Sequence, residues 1–240
     1  MKTKLHLLTA VLFAGMIAGC TPEPDPGPTS NNSAPSPVIG DGDGTLVAIK
    51  NNTTTETPIG PISVTLGLGS AFFYNTGDYT NFIPAGNVTL NGSGLEAQDN
   101  NAYVFVPDET DYEGISFSSG VSWNVTGAGN IPSFSHTVAN SFPSASEITS
   151  GETVTRSAGY TLTVNSVSGA DSVLFIVGEV SKTLPGTATS YTFTASELSS
   201  LAAGTSVVMV APYNYEGAVY GGRTFYFVNE MVESKTVTIE

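Results

Sequence analysis

The strongest constraint on this chain is the recurrence, from residue 45 onward, of short runs rich in Val, Ile, Phe, Tyr and Thr, each closed by Gly, Pro, Asn or Asp. A period of two puts alternate side chains on opposite faces of a strand, and runs this short leave little room for amphipathic helices. The first series is Leu46-Val47-Ala48-Ile49, Ile62-Ser63-Val64-Thr65-Leu66, Ala71-Phe72-Phe73-Tyr74, Val88-Thr89-Leu90, Tyr103-Val104-Phe105-Val106, Ile115-Ser116-Phe117 and Val121-Ser122-Trp123-Asn124-Val125. Turn signals at Thr76-Gly77-Asp78 and Asn91-Gly92 favour an antiparallel sandwich over βαβ units. Trp123 is expected in its core.

The pattern weakens between Gly127 and Gly151 and then resumes with Thr153-Val154-Thr155, Tyr160-Thr161-Leu162-Thr163-Val164, Ser172-Val173-Leu174-Phe175-Ile176-Val177, Ser190-Tyr191-Thr192-Phe193, Val207-Val208-Met209-Val210-Ala211, Thr224-Phe225-Tyr226-Phe227-Val228 and Thr236-Val237-Thr238-Ile239. The single helical signal is Thr194-Ala195-Ser196-Glu197, a capping box followed by Leu198 and Leu201. Ser190 to Phe193, then Leu198 and Leu201, then Gly204-Thr205 and Val208-Met209-Val210-Ala211-Pro212-Tyr213-Asn214 resemble the E to F stretch of fibronectin type III domains. Leu162-Thr163-Val164 before Gly169-Ala170-Asp171 resembles their B strand. Val207 stands where that family keeps its corner tyrosine, so the resemblance implies the sandwich and no functional residue. The expected fold is all-β: two tandem antiparallel β-sandwiches of immunoglobulin or fibronectin III type, at residues 45–131 and 132–240.

The N-terminus has a different character. Lys2 and Lys4 precede a mostly apolar stretch from Leu5 to Ile17, broken by His6 and Thr9, and the small residues Ala18 and Gly19 precede Cys20. This is the layout of an export signal, and the prolines that follow it exclude a membrane-spanning helix. Ile17-Ala18-Gly19-Cys20 resembles the lipobox of bacterial lipoproteins, with Ile17 where that family most often has Leu. The resemblance implies a signal peptide at residues 1–19, cleavage before Cys20, and diacylglycerol and N-acyl chains on that cysteine, which would tether the protein to the membrane. An ordinary cleaved signal peptide is the alternative. Thr21 does not match the aspartate signal for inner-membrane retention, which favours the outer membrane, on either its periplasmic or its cell-surface side. Residues 20–44 then form the lipidated start and a Pro-rich linker. Cys20 is the sole cysteine, so its acylation leaves no thiol for a disulfide, a metal or a nucleophile.

The formal net charge of −14 offers no basic patch for phosphates and excludes nucleic acid as a partner. Past the signal the only histidine is His136, so a histidine zinc cluster is impossible. His136 has no G-x-S-x-G elbow to serve and is expected as a solvated loop or strand residue. Asp108, Glu109, Asp111 and Glu113 are expected in a solvated loop. A calcium site at Asp108, Asp111 and Glu113, or a glycosidase-type carboxylate pair, are the sharper readings of the same residues. Asp41-Gly42-Asp43-Gly44 lacks the distal acids of a calcium loop and reads as the turn that ends the linker. No cofactor is expected beyond the lipid.

Two stretches suit ligand binding. Residues 72–82 place Tyr74, Asp78 and Tyr79 around a turn, an aromatic and polar combination that stacks on sugars, unless the aromatics are core. Residues 213–223 carry Tyr213, Tyr215 and Tyr220 on what reads either as a glycine-rich loop or as a long hairpin whose tyrosines cover the sandwich edge. The expected function is a non-catalytic binding or adhesion module for a glycan or protein. The alternatives are an assembly subunit of an outer-membrane complex that docks by strand addition at residues 236–239, and a carbohydrate-active enzyme using the acids at 108–113.

Overall fold

A computed structural model describes residues 42–57, 60–107 and 113–240. The chain is all-β, as expected. Its strands are β1 (Gly44–Thr57), β2 (Gly60–Asn75), β3 (Asp78–Phe82), β4 (Val88–Leu90), β5 (Ser93–Ala97), β6 (Tyr103–Val104), β7 (Ser122–Val125), β8 (Phe134–Thr137), β9 (Ser144–Ala145), β10 (Thr153–Val154), β11 (Tyr160–Thr163), β12 (Val167–Ser168), β13 (Ser172–Val177), β14 (Val180–Pro185), β15 (Ser190–Phe193), β16 (Gly204–Tyr220) and β17 (Arg223–Ile239). One short helix, α1 (Ala195–Leu198), begins at the predicted capping box, with Thr194 and Glu197 bonding reciprocally.

The strands join in one large sheet in the order β14-β13-β16-β17-β1-β2-β6-β5-β4-β7-β8, with β3 beside β2 and β10 beside β17. β17 is the hinge of this order. It pairs antiparallel with β16 and parallel with β1, bringing Gly44 opposite Phe225 and Thr53 opposite Ser234. The sheet is therefore mixed, and strands from both halves of the chain share it. The expected division at 131/132 falls between β7 and β8, which pair with each other. Along residues 236–239 β17 has β16 on one side, and at residues 238–239 it has β10 on the other, so the edge expected for strand addition at 236–239 is paired on both sides at its last two residues.

Residues 213–223, read as loop or hairpin, are hairpin: β16 runs to Tyr220 and turns through Gly221 and Gly222, both at positive φ (57° and 79°). Only glycine adopts that pair freely, and two such residues give the tight turn whose twist matches the flanking strands. Pro212 sits inside β16 despite lacking an N–H, and the ladder to β17 skips there, from Val210↔Glu233 to Tyr213↔Glu230. The predicted strand at 115–117 does not form.

Register separates the side chains onto two faces. The inner face carries Leu46, Ala48, Phe73, Phe225 and Phe227, which pack with Leu90, Trp123, Val125 and Phe134. Farther along the same face, Val173, Phe175, Val208, Val210 and Val237 pack with Leu162, Phe193 and Leu198 in a second cluster. Trp123 is fully buried. The outer face carries Thr45, Val47, Ile49 and Asn51 of β1 opposite Tyr226, Val228, Glu230 and Val232 of β17, and Phe72, Ser70, Leu68 and Leu66 of β2.

Candidate functional site

The two stretches singled out for binding meet at one end of the sheet, on Asp43. This carboxylate immediately precedes β1 and is nearly buried. Its Oδ1 accepts hydrogen bonds from the Thr76 hydroxyl (2.6 Å) and Arg223 Nη1 (2.8 Å), and its Oδ2 accepts one from the Thr224 amide (2.9 Å). Its backbone N–H donates to Thr224 O and its carbonyl accepts from the Tyr74 amide. One side chain thus ties the β2–β3 turn to the start of β17. Hydrogen bonds to a charged acceptor are stronger than neutral ones, so the junction is held firmly.

From this junction an aromatic strip crosses the outer face. Thr45 lies opposite both Phe72 and Tyr226, which sets those two backbones about 10 Å apart on one face. Tyr226 continues to Tyr215 in an edge-on contact at 6.0 Å. On the other side Phe72 contacts Phe82 at 5.1 Å, and Tyr74 contacts Tyr79 and Phe82 at 5.7 and 5.5 Å. Phe72 and Tyr74 are the buried base of the strip, while Tyr79, Phe82 and Tyr226 are half-buried and Tyr215 is 40 % exposed. The Tyr226 ring fits because its neighbours are glycines: a Cβ on Gly42 would lie 2.7 Å from the ring and one on Gly217 3.2 Å.

Polar groups edge the strip at its β3 end. Asp78 accepts from Asn81 Nδ2 (2.9 Å), the Thr80 hydroxyl (2.8 Å) and the Thr80 amide (3.1 Å). Those bonds, Asn81's first, hold its carboxyl below the usual range. Asp78 is thus an ionised acceptor braced by Thr80 and Asn81 of its own turn.

Of the sequence candidates, Asp78, Tyr79 and Tyr215 present surface here. Tyr74 supports them from below, and burial pushes its hydroxyl pKa up. Tyr213 is buried at 2 % exposure in β16 and offers no surface. Tyr220 faces the opposite way: its ring stacks on Phe134 at 4.6 Å and its hydroxyl meets His136 Nδ1 at 2.8 Å. Sequence reasoning missed Phe82, Arg223 and Tyr226 as members of the site. The signal for Tyr226 was its two flanking glycines, 42 and 217, which are meaningful only once the pairing is known.

His136 is not solvated. It lies on β8 with its ring stacked 3.7 Å over Phe227, Nε2 2.7 Å from Glu216 Oε1 and Nδ1 on Tyr220. Glu216 also accepts from the Ala139 amide. Both ring nitrogens are engaged in holding β8 against β16, a structural task. Glu113 is exposed, and its carbonyl accepts from the Gly67 amide. Cys20, Asp108 and Asp111 lie outside the described residues. Among the described residues, no three His, Cys, Asp or Glu side chains are grouped to hold a metal ion, and no helix is long and apolar enough to cross a membrane. No protein-family model matches the sequence, and no curated protein matches it.

Proposed function

We propose that this protein is a non-catalytic binding module of the bacterial envelope, tethered by lipid on Cys20, which engages a glycan or protein through the aromatic strip. The observation that carries the reading is the convergence on Asp43: two stretches 140 residues apart in sequence, each suited to binding, are joined into one surface of ring faces, a braced carboxylate and Arg223. Flat aromatic faces beside fixed hydrogen-bonding groups suit stacking on a sugar ring or docking of an extended peptide. Strand pairings support the fibronectin III resemblance of the C-terminal half: β11 pairs with β15 as strands B and E do, and β14-β13-β16-β17 run in the order C′-C-F-G. For the assembly-subunit reading the edge available to strand addition is narrower than residues 236–239, because residues 238–239 are paired on both sides.

The test is a glycan and envelope-protein array probed with the Cys20→Ser chain, alongside its Tyr79→Ala and Tyr215→Ala variants. Binding that drops at least tenfold in both variants supports the strip. Binding that survives both, or no binding at all, rejects it.

A further inference from the structure

β16 is paired along only part of its length on the side away from β17. There it meets β13 from Val208↔Val177 to Tyr213↔Ser172, and beyond Tyr213 no described strand joins it, although it runs on to Tyr220. Two bonds at the junction show which backbone groups face that side: Tyr213 O accepts from the Asp171 amide, and the Tyr215 amide donates to Asp171 Oδ2 at 3.1 Å. Backbone direction alternates along an antiparallel strand, so Gly217 and Val219 also turn their N–H and C=O groups away from β17. Asp171 caps the Tyr215 amide, but the backbone groups of Gly217 and Val219 have no partner on the open side among the described residues. Both residues are exposed, and a glycine has only its backbone to expose.

An open edge is ordinarily blunted by Lys, by Pro or by shortness. The outermost strands of the sheet follow that rule: β14 carries Lys182 and Pro185, and β8 is four residues long. Residues 215–220 read Tyr-Glu-Gly-Ala-Val-Tyr, with neither Lys nor Pro. Their one charge, Glu216, is turned inward onto His136 and the Ala139 amide. Val219, 66 % exposed, is the most exposed large apolar side chain among the described residues.

We propose that this edge pairs with the same edge of a second copy of the chain, antiparallel about a two-fold axis at Ala218. Asp171 fixes the register. It lies opposite Asn214 on the open side, because Ser172 pairs with Tyr213. An axis at Gly217 would bring the partner's Tyr220 onto the place of Asp171. An axis at Ala218 sets the partner's Tyr220 opposite Glu216, and the partner's turn at Gly221 and Gly222 then bends away before reaching Asp171. In this register each Gly217 amide donates to the partner's Val219 carbonyl and each Val219 amide to the partner's Gly217 carbonyl, so every open group of the two residues is used. Such self-complementarity is what a two-fold contact requires. On the outer face Val219 lies opposite the partner's Gly217, beside the Tyr226 ring that already sits 3.2 Å from where a Cβ of Gly217 would be, and the exposed valine is covered. No like charges are opposed: Glu216 faces the partner's Tyr220 and Ala218 faces the partner's Ala218. The axis is normal to the sheet, so the two aromatic strips come to lie on one face of a continuous sheet. The pairing itself requires no ligand of the strip.

The test uses the full Cys20→Ser chain with one cysteine added, so that thiol is its only one. Ala218 and the partner's Ala218 form a non-hydrogen-bonded pair with Cα atoms about 4.5 Å apart, a separation that a disulfide spans. Under mild oxidation Ala218→Cys should give a dimer linked through residue 218, several times more than the exposed control Ser157→Cys. Val219→Pro, which removes an open amide and leaves the β17 ladder intact, or Val219→Lys where the proline variant fails to fold, should lower that yield several-fold. No dimer through residue 218, equal yields at 157 and 218, or a yield that neither Val219 variant lowers overturns the proposal. Sedimentation velocity on the Cys20→Ser chain with Ala218 in place gives a second readout: a concentration-dependent dimer that Val219→Lys abolishes is expected. A monomer throughout, or association that Val219→Lys leaves unchanged, overturns the proposal too.

Discussion

Asp43→Ala tests whether the junction holds the candidate surface together. The substitution deletes an acceptor used by Arg223, Thr76 and the Thr224 amide at 2.6–2.9 Å. Removing one partner of a buried ion pair costs about 3–5 kcal/mol. The Arg223 and Asp43 side chains are 22 % and 11 % exposed, so water can partly re-solvate the guanidinium, and the low end, about 3 kcal/mol, is expected. In a protein of this size each kcal/mol moves Tm by about 2–4 °C, so Tm should fall by about 6–12 °C. Urea unfolding followed by circular dichroism gives the free energy directly. Arg223→Ala alone should cost less, because it leaves a carboxylate still bonded to Thr76 and Thr224. The double variant should cost well under the sum, since both changes break the same contact. An Asp43→Ala cost below about 1 kcal/mol, or strict additivity with Arg223→Ala, would refute the view of Asp43 as the clamp.

Two further perturbations test the packing beneath the surface. Gly67→Ala would place a Cβ 1.9 Å from the Ile115 carbonyl oxygen and disturb the Gly67–Glu113 and Ile115–Gly67 backbone bonds; a loss of at least about 2 kcal/mol in urea unfolding is expected, and an unchanged midpoint would show that the 113–115 segment is not fixed there. Burial raises the Glu230 carboxyl pKa from 4.5 to about 8, so the folded state holds a proton that the unfolded state releases, and stability falls as pH rises from about 4.5 to 8 and is level above it. Against Glu230→Gln, the native protein should lose several kcal/mol across that window, and parallel stability curves for the two from pH 5 to 8 would exclude a buried carboxyl at this site.

Much of the strand content was legible because alternation is a local property. β4, β7, β10, β11, β13 and β15 lie where their runs predicted, and so does the capping box of α1. What stayed hidden was continuity. The runs at 62–66 and 71–74 are one strand, because Gly67 and Gly69 between them are not turn glycines. They are sites of close approach, where a Cβ would strike Ile115 O and Leu90 Cδ2. The runs at 224–228 and 236–239 are likewise one strand, interrupted in sequence by Asn229, Glu230, Glu233 and Ser234, polar residues that are nonetheless buried. β8 and β14 were missed because polar side chains dominate both. Nothing local announces a parallel pair between residues some 180 apart in sequence, and that pair, β1 with β17, decides which residues share the candidate site.

The length of the β16–β17 hairpin explains why both surfaces exist. The second core cluster needs strands long enough to cover Leu162, Phe193 and Leu198, and residues 204–210 of β16 with 237–239 of β17 do that. The remainder of the hairpin extends beyond that core, and its inner side chains, Phe225 and Phe227, complete the other cluster beside β1. Because strand side chains alternate, every inner residue so recruited places a neighbour on the outer face. Phe225 and Phe227 oblige Tyr226 and Val228 to face outward, and Leu46 and Ala48 do the same for Val47 and Ile49. Had the outer face been solvated throughout, those outward positions would be Thr, Lys or Glu, as on an ordinary one-sided sheet. They are Tyr, Val and Ile instead. The pleat fixes which residues point outward, so a strand recruited to the inner core carries its aromatic end and its apolar middle on the other face.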